Sequence, residues 1–131
     1  MSRSYPKSLF LVVALIYTAG LATVSLLKLN SDALSAVEFK NADKVFHFLA
    51  YFGLTLLWEA YYFKQKQSIQ GFPSLKIALA AIIFGIIIEI LQKGATRYRS
   101  FEYLDIVANS TGVILAVLSL YILKHFNKLK L

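Results

Sequence analysis

The stretch EILQKGATRYRSFEYLDIVAN, Glu89–Asn109, joins two long apolar segments and is itself strongly polar. The chain is 58% hydrophobic and only 16% charged, so this concentration of polarity stands out. The flanking segments are rich in Ile, Leu, Ala, Val and Gly, which is the composition of helices that face lipid. We therefore expect the joint to lie at a membrane surface, with one side facing a polar cavity. Its polar residues are Glu89, Gln92, Lys93, Arg97, Arg99, Glu102, Asp105 and Asn109.

The apolar runs predict an integral membrane protein. Mean hydropathy is +0.62, and a helix that spans a bilayer needs roughly 20 mainly apolar residues. Four segments approach that length, at residues 8–27, 44–63, 75–92 and 105–123. The sequence therefore predicts an all-α four-helix bundle that forms a single transmembrane domain over residues 1–131. A short segment from about Asn30 to Asn41 has Leu34 and Val37 at helical spacing, and we expect it to lie along the outer surface.

Charge and composition narrow the class of protein further. The first apolar run is longer than the ~7–15 residues of a secretory signal core, so we expect it to be a retained helix. The chain has no cysteine, which excludes disulfides and thiolate chemistry. The net charge of +7 comes from basic residues near helix ends rather than on one face, which argues against nucleic-acid binding.

The basic residues also predict an orientation. Four spans place both termini on one side of the membrane, and that side carries the larger share of Lys and Arg, so we expect both termini in the cytoplasm. Glu59 is expected near the cytoplasmic end, as an interfacial residue. The basic residues of the cytoplasmic side are Arg3, Lys7, Lys64, Lys66, Lys76, Lys124, Lys128 and Lys130, and those of the other side are Lys28, Lys40, Lys44, Lys93, Arg97 and Arg99.

Three helices carry polar residues on one face each. Residues three or four apart lie on the same face of a helix, and alternating helix directions place the three faces at similar depth. A charged side chain inside a membrane costs ~2.5–3.5 kcal/mol on insertion scales, so such residues mark functional or mutually solvating sites. We therefore predict one outward-opening pocket lined by Asp43, His47, Glu89, Gln92, Arg99 and Asp105, with Tyr51 and Asn109 deeper.

The residue types in this pocket suggest two kinds of chemistry. Histidine titrates near neutrality, with an ordinary pKa of ~6.5, so His47 is the candidate proton carrier. Asp43 would orient it, and Glu89 or Asp105 would be the second acid or base. Alternatively His47, Glu89 and Asp105 could ligate a divalent metal such as Mn²⁺, Zn²⁺ or Fe²⁺. Arg97 or Arg99 would pair with the carboxylates or bind an anionic group of a ligand. A third possibility is that the cluster only holds helices together.

Three motifs resemble the VanZ-like family of small bacterial membrane proteins. They are DKVFHFLAYFGL at residues 43–54, GIIIEILQ at 85–92 and RSFEYLDIVANSTGVILA at 99–116, and the likeness runs from Asp43 to about Leu118. One departure is GATRYRS, which lacks the proline common before the R-S element. Ser100 favours Arg99 over Arg97 as the equivalent arginine. The family is named for a protein that lowers susceptibility to teicoplanin, so the resemblance implies a bacterial cytoplasmic membrane and a cell-envelope role.

These observations favour a function in binding. We expect the pocket to bind the anionic headgroup of an envelope lipid or lipid-linked cell-wall precursor and to influence teicoplanin susceptibility. The sequence contains no Cys nucleophile, G-x-S-x-G elbow, H-E-x-x-H or phosphate loop. An intramembrane enzyme that uses acid–base or metal-assisted chemistry on a headgroup stays open as the alternative, as does a purely structural role.

Overall fold

The structure, a computed structural model, describes residues 4–27, 41–66, 74–95 and 102–126. Within these ranges it consists of four α-helices without a β-strand, as the sequence predicted. They are α1 (Lys7–Leu26), α2 (Ala42–Lys66), α3 (Leu75–Ala95) and α4 (Tyr103–His125). Each end lies within about three residues of the predicted span, which is the usual uncertainty of helix boundaries. The predicted interfacial segment falls mainly on residues 28–40, outside the described part of the chain.

Three of the helices are long and apolar enough to cross a membrane: α1, α3 over Leu75–Gly94, and α4. Helix α2 differs because it packs against the other three helices more extensively than any of them does. Its interior positions therefore face protein rather than lipid, and they include the buried polar residues His47, Thr55 and Glu59. Polar side chains that face the interior of a bundle avoid the cost of exposure to lipid.

The contacts fix the directions of the helices. Lys44, near the start of α2, contacts Asp105, near the start of α4, and Gly112 farther along α4 packs against Phe48 of α2. Residues farther along α2 therefore contact residues farther along α4, so the two helices are parallel. Helix α1 runs the other way, because Ser4 before its start bonds Lys64 of α2 whereas Tyr17 farther along bonds Ala50. Helix α3 does so too, because Ser74 before its start bonds Glu59 whereas Gly85 packs against Tyr51.

Helix α1 is attached to the bundle by a few polar contacts. The Tyr17 hydroxyl donates to the Ala50 carbonyl oxygen at 2.7 Å, and Trp58 Nε1 donates to Thr18 Oγ1 at 2.9 Å. Most of its large side chains are exposed, with Ile16 at 67%. In a membrane this surface contacts lipid, so the apolar exposure requires no protein partner.

Glu59 differs from the expectation that it is an interfacial residue. It is only 4% exposed, and its Oε2 accepts a hydrogen bond of 2.8 Å from the backbone N–H of Ser74, immediately before α3. A carboxylate at a helix N-terminus satisfies a backbone donor that has no partner within the helix and complements the helix dipole. Glu59 is therefore an interior residue that anchors the start of α3.

Gly112 sets the spacing between α2 and α4. A Cβ atom at this position would overlap the backbone carbonyl oxygen of Phe48 and lie 3.1 Å from the backbone nitrogen of Phe52. Backbone atoms cannot move aside as a side chain can, so only glycine allows this approach. The close contact of the two helices brings the polar residues at their N-terminal ends together.

We predict that Gly112→Ala separates α2 from α4 and lowers the free energy of unfolding by about 1–3 kcal/mol, the usual cost of overpacking. The measurement is the thermal unfolding midpoint of the purified protein in detergent.

Gly20→Ala is the matched control, because a Cβ there meets nothing within 4 Å. Alanine is favoured over glycine inside a helix by about 0.5–1 kcal/mol, so this variant should be as stable as the parent or more so. Equal midpoints for Gly112→Ala and the parent would contradict the proposed close contact.

Candidate functional site

The N-termini of the parallel helices α2 and α4 lie side by side, and acidic residues gather there. Asp43 is in the first turn of α2, Glu102 is the N-cap of α4, and Asp105 is in the first turn of α4. The N-terminal end of a helix carries partial positive charge, so carboxylates are stabilised at the N-termini of both α2 and α4. Asn41 lies immediately before α2 and has a φ of 69°. Its backbone carbonyl oxygen accepts a 3.1 Å hydrogen bond from the backbone N–H of Lys44. Asparagine tolerates this left-handed conformation better than most residues.

The Lys44 ammonium group lies at the centre of these carboxylates. Its Nζ is 2.8 Å from Asp43 Oδ2, 2.8 Å from Glu102 Oε2 and 3.2 Å from Asp105 Oδ1. An ammonium group has three N–H donors, and three carboxylate oxygens are within reach of them. Lys44 thus links α2 to α4 by charge-assisted hydrogen bonds.

Asp105 is the most deeply buried member of this group. Its side chain is 2% exposed, and its second carboxylate oxygen lies 3.6 Å from His47 Nε2, whose side chain is also buried. A buried carboxylate is strongly destabilising unless it is paired and hydrogen-bonded. Asp105 therefore depends on Lys44, and its other oxygen faces the His47 ring at a distance longer than a hydrogen bond. We call Asp43, Lys44, His47, Glu102 and Asp105 the ionic cluster.

The ionic cluster has more acidic than basic groups. Oxygen atoms of Asp43, Glu102 and Asp105 lie within 4.8 Å of one another, a separation that suits a bound cation. Carboxylate oxygens are the preferred ligands of Mg²⁺, Ca²⁺ and Mn²⁺. The chemical fit is therefore reasonable, but this trio differs from the predicted ligands His47, Glu89 and Asp105. The Lys44 ammonium also competes for the same oxygens.

Glu89 adjoins the ionic cluster from α3. It is 5% exposed, and its Oε1 accepts a 3.1 Å hydrogen bond from the backbone N–H of Glu102. Glu89 thus holds the start of α4 in place. Gln92, one turn away, donates from Nε2 to the Ser25 carbonyl oxygen of α1 at 2.6 Å. This contact links α3 to α1.

Tyr51 and Asn109 lie deeper in the bundle, against Gly85 of α3. A Cβ at Gly85 would lie 2.9 Å from the Tyr51 ring and 3.1 Å from Asn109 Nδ2. Both side chains are at most 3% exposed. The Tyr51 hydroxyl and Asn109 Oδ1 are buried without a hydrogen-bond partner. Gly85 therefore leaves room for two polar groups from α2 and α4 in the interior.

The structure thus brings together three of the predicted residues, Asp43, His47 and Asp105, with Glu89 adjacent. Arg97 and Arg99 lie outside the described residues. The assignment of all these residues to a binding or catalytic site stays a prediction.

Sequence reasoning missed Lys44 and Glu102. Lys44 was counted only as a charge that sets orientation, and Glu102 only as part of the polar joint. Two signals were available: Lys44 follows Asp43 directly, and Glu102 precedes Asp105 by three residues, which places both acids on one face.

Comparison with known proteins places the chain in a family. The family model described as VanZ/LLP1 matches residues 4–124. An uncharacterized protein of Schizosaccharomyces pombe, C11E3.10, is 39% identical over 88 residues. This match covers 67% of the present chain and 51% of the yeast protein, so the chain spans about half the length of that relative. No solved structure matches. The match over nearly the whole chain shows that the protein belongs to the VanZ/LLP1 family.

Proposed function

We propose that the protein binds the phosphorylated headgroup of a membrane lipid, or of a lipid-linked cell-wall precursor, at the ionic cluster. The observation that supports this most directly is the position of Lys44. Its side chain is 22% exposed, so it is held by carboxylates but still accessible. It lies at the end of an apolar bundle, the depth at which lipid headgroups meet a membrane protein. A cation in this position is available to a headgroup phosphate.

Binding an anion requires the cluster to rearrange, because its carboxylates would repel a phosphate. Lys44 can leave Asp43 and Glu102, whose side chains are 35% and 42% exposed and can be hydrated. Asp105 is too buried for that and would stay paired with Lys44. The headgroup then accepts hydrogen bonds from Lys44. By sequence, Arg97 and Arg99 in the connection between α3 and α4 add the positive charge that the described residues lack.

The biological setting that we propose is the cell envelope. In a bacterial cytoplasmic membrane with both termini inside, the ionic cluster would face outward, where cell-wall precursors are exposed. Binding there would influence susceptibility to glycopeptides such as teicoplanin, which act on those precursors. The yeast relative means that family membership alone does not assign a bacterial origin.

We expect Lys44→Gln to weaken binding of an isoprenyl phosphate by about tenfold to a hundredfold, since a hydrogen bond to a charged group contributes about 1.5–3 kcal/mol. Native mass spectrometry of the purified protein in mixed micelles would measure retention, with phosphatidylglycerol as a second probe. Comparison of the two probes shows whether the chain prefers a precursor lipid or a bulk lipid.

Lys64→Gln is the matched control, because Lys64 lies near the opposite end of α2 and bonds the Ser4 hydroxyl at 2.9 Å. It should retain binding. If Lys44→Gln retains both lipids as the parent does, the ionic cluster is not a headgroup site.

The carboxylate trio supports a second candidate function, metal-assisted chemistry on the same headgroup. Asp43, Glu102 and Asp105 would hold a divalent cation, which when bound supplies Lewis acidity toward a phosphoryl oxygen. His47, beside Asp105, would carry the proton.

One substitution separates the two functions by the sign of its effect. Lys44→Ala removes the cation that competes for the carboxylates, so a metal site predicts tighter Mn²⁺ binding by isothermal titration. The same change weakens lipid phosphate binding if Lys44 is the anion's partner. An enzyme further requires turnover of the isoprenyl phosphate or phosphatidylglycerol that His47→Ala abolishes. Absence of both Mn²⁺ binding and turnover in the parent would reject the second candidate.

A further inference from the structure

Helix α2 carries a continuous line of polar residues. His47, Tyr51, Thr55 and Glu59 follow one another at intervals of four residues and therefore share one helical face. They are 6%, 1%, 0% and 4% exposed. We call these four residues the polar file. At 1.5 Å per residue the file extends about 18 Å, more than half of a hydrocarbon core of about 30 Å.

Unpartnered polar atoms are concentrated along this file. Among the described residues, three buried side-chain atoms have no hydrogen-bond partner: the Tyr51 hydroxyl, Glu59 Oε1 and Asn109 Oδ1. Two belong to the file, and the third lies beside Tyr51 at Gly85. Buried polar atoms without protein partners usually bond to internal water. The file therefore offers hydration sites at Tyr51 and at Glu59, one turn on either side of Thr55.

The ends of the file are titratable groups. At one end His47 lies 3.6 Å from Asp105, within the cluster that also contains Asp43, Lys44 and Glu102. At the other end Glu59 holds the Ser74 N–H with one oxygen and leaves the other unpartnered. Near the middle, Tyr51 packs against Gly85, which lies one turn before Glu89 on the same face of α3. Ionisable residues inside membrane bundles commonly mark proton relays.

We propose that the polar file binds a chain of water molecules and carries protons between Glu59 and the solvent at the ionic cluster. A proton added to Glu59 Oε1 passes to an adjacent water, and each member then accepts one proton at oxygen and releases another. The Thr55 and Tyr51 hydroxyls take part in the same way and return to their starting state. The last water molecule, beyond Tyr51, releases its proton to the solvent at the ionic cluster. No electron is transferred, and this activity does not depend on lipid binding.

Thr55 is the critical point of the path. It is the only member of the polar file between Tyr51 and Glu59. Helix α4 contributes the fully buried apolar residues Val113 and Ala116 to the same bundle interior. Its hydroxyl now donates to the Tyr51 carbonyl oxygen at 2.8 Å and still has lone pairs to accept from water. Valine has nearly the same shape without the hydroxyl, so Thr55→Val removes a relay group with little change in volume.

The test is proton flux into vesicles. Purified protein is reconstituted in phosphatidylcholine vesicles that contain the pH dye pyranine, and valinomycin imposes a potassium diffusion potential. The parent should admit protons faster than protein-free vesicles, and Thr55→Val should reduce the flux to the protein-free rate. Thr111→Val is the matched control and should conduct as the parent does. Thr111 makes the same bond, to the carbonyl four residues earlier, but on an exposed face.

Glu59→Gln is a second variant, which keeps the proposal testable if Thr55→Val does not fold. Glutamine retains an oxygen that can accept the Ser74 N–H but cannot be protonated to carry charge. It too should reduce the flux to the protein-free rate, with an unchanged gel-filtration profile. The proposal is overturned if the parent conducts no faster than protein-free vesicles. It is also overturned if either folded variant conducts as the parent does.

Discussion

The burial of the Asp105 carboxylate imposes the main constraint on this structure. A carboxylate that is 2% exposed must be compensated, and the compensation comes from Lys44 and His47 of another helix. Those residues reach Asp105 only because α2 and α4 are parallel and closely packed. Gly112 permits that packing, since any side chain there would meet the backbone of α2. The site and the helix packing therefore depend on each other.

The parallel arrangement also explains why acids outnumber bases at this end of the bundle. Two helix N-termini lie side by side, and each favours negative charge. Lys44 then neutralises part of that charge, and Glu89 orders the start of α4 through the Glu102 N–H. This arrangement also places the accessible Lys44 ammonium group among the carboxylates.

Much of the fold was predictable because its signals are local in sequence. Apolar runs gave the helices, and four-residue spacing placed Asp43, His47 and Tyr51 on one face. Contacts between helices were not predictable in the same way. Gln92 donates to the Ser25 carbonyl of α1, a partner that its own stretch of sequence does not indicate. Glu59 was expected at an interface, but the start of α3 covers it. Periodicity gives the face of a helix, and only packing determines which partner that face meets.

Lys44 shows the same limitation at the candidate site. A lysine at the end of an apolar helix ordinarily serves as an interfacial charge, and nothing in its local sequence shows that Glu102 and Asp105 approach it. Those partners are 58 and 61 residues away along the chain. Their convergence follows from the approach of α2 and α4 at Gly112, which is a tertiary effect.

Whether the ionic cluster is a ligand site or only holds α2 to α4 can be measured with a double variant. Lys44→Met should lower the thermal midpoint, because it leaves the buried Asp105 carboxylate without its charged partner. Asp105→Asn should lower it less, because Lys44 keeps Asp43 and Glu102. The combined variant removes both charges and should recover most of the lost stability. A headgroup site predicts that the stable double variant still fails to retain isoprenyl phosphate in native mass spectrometry. Retention equal to that of the parent would contradict a binding role and show that the cluster is structural.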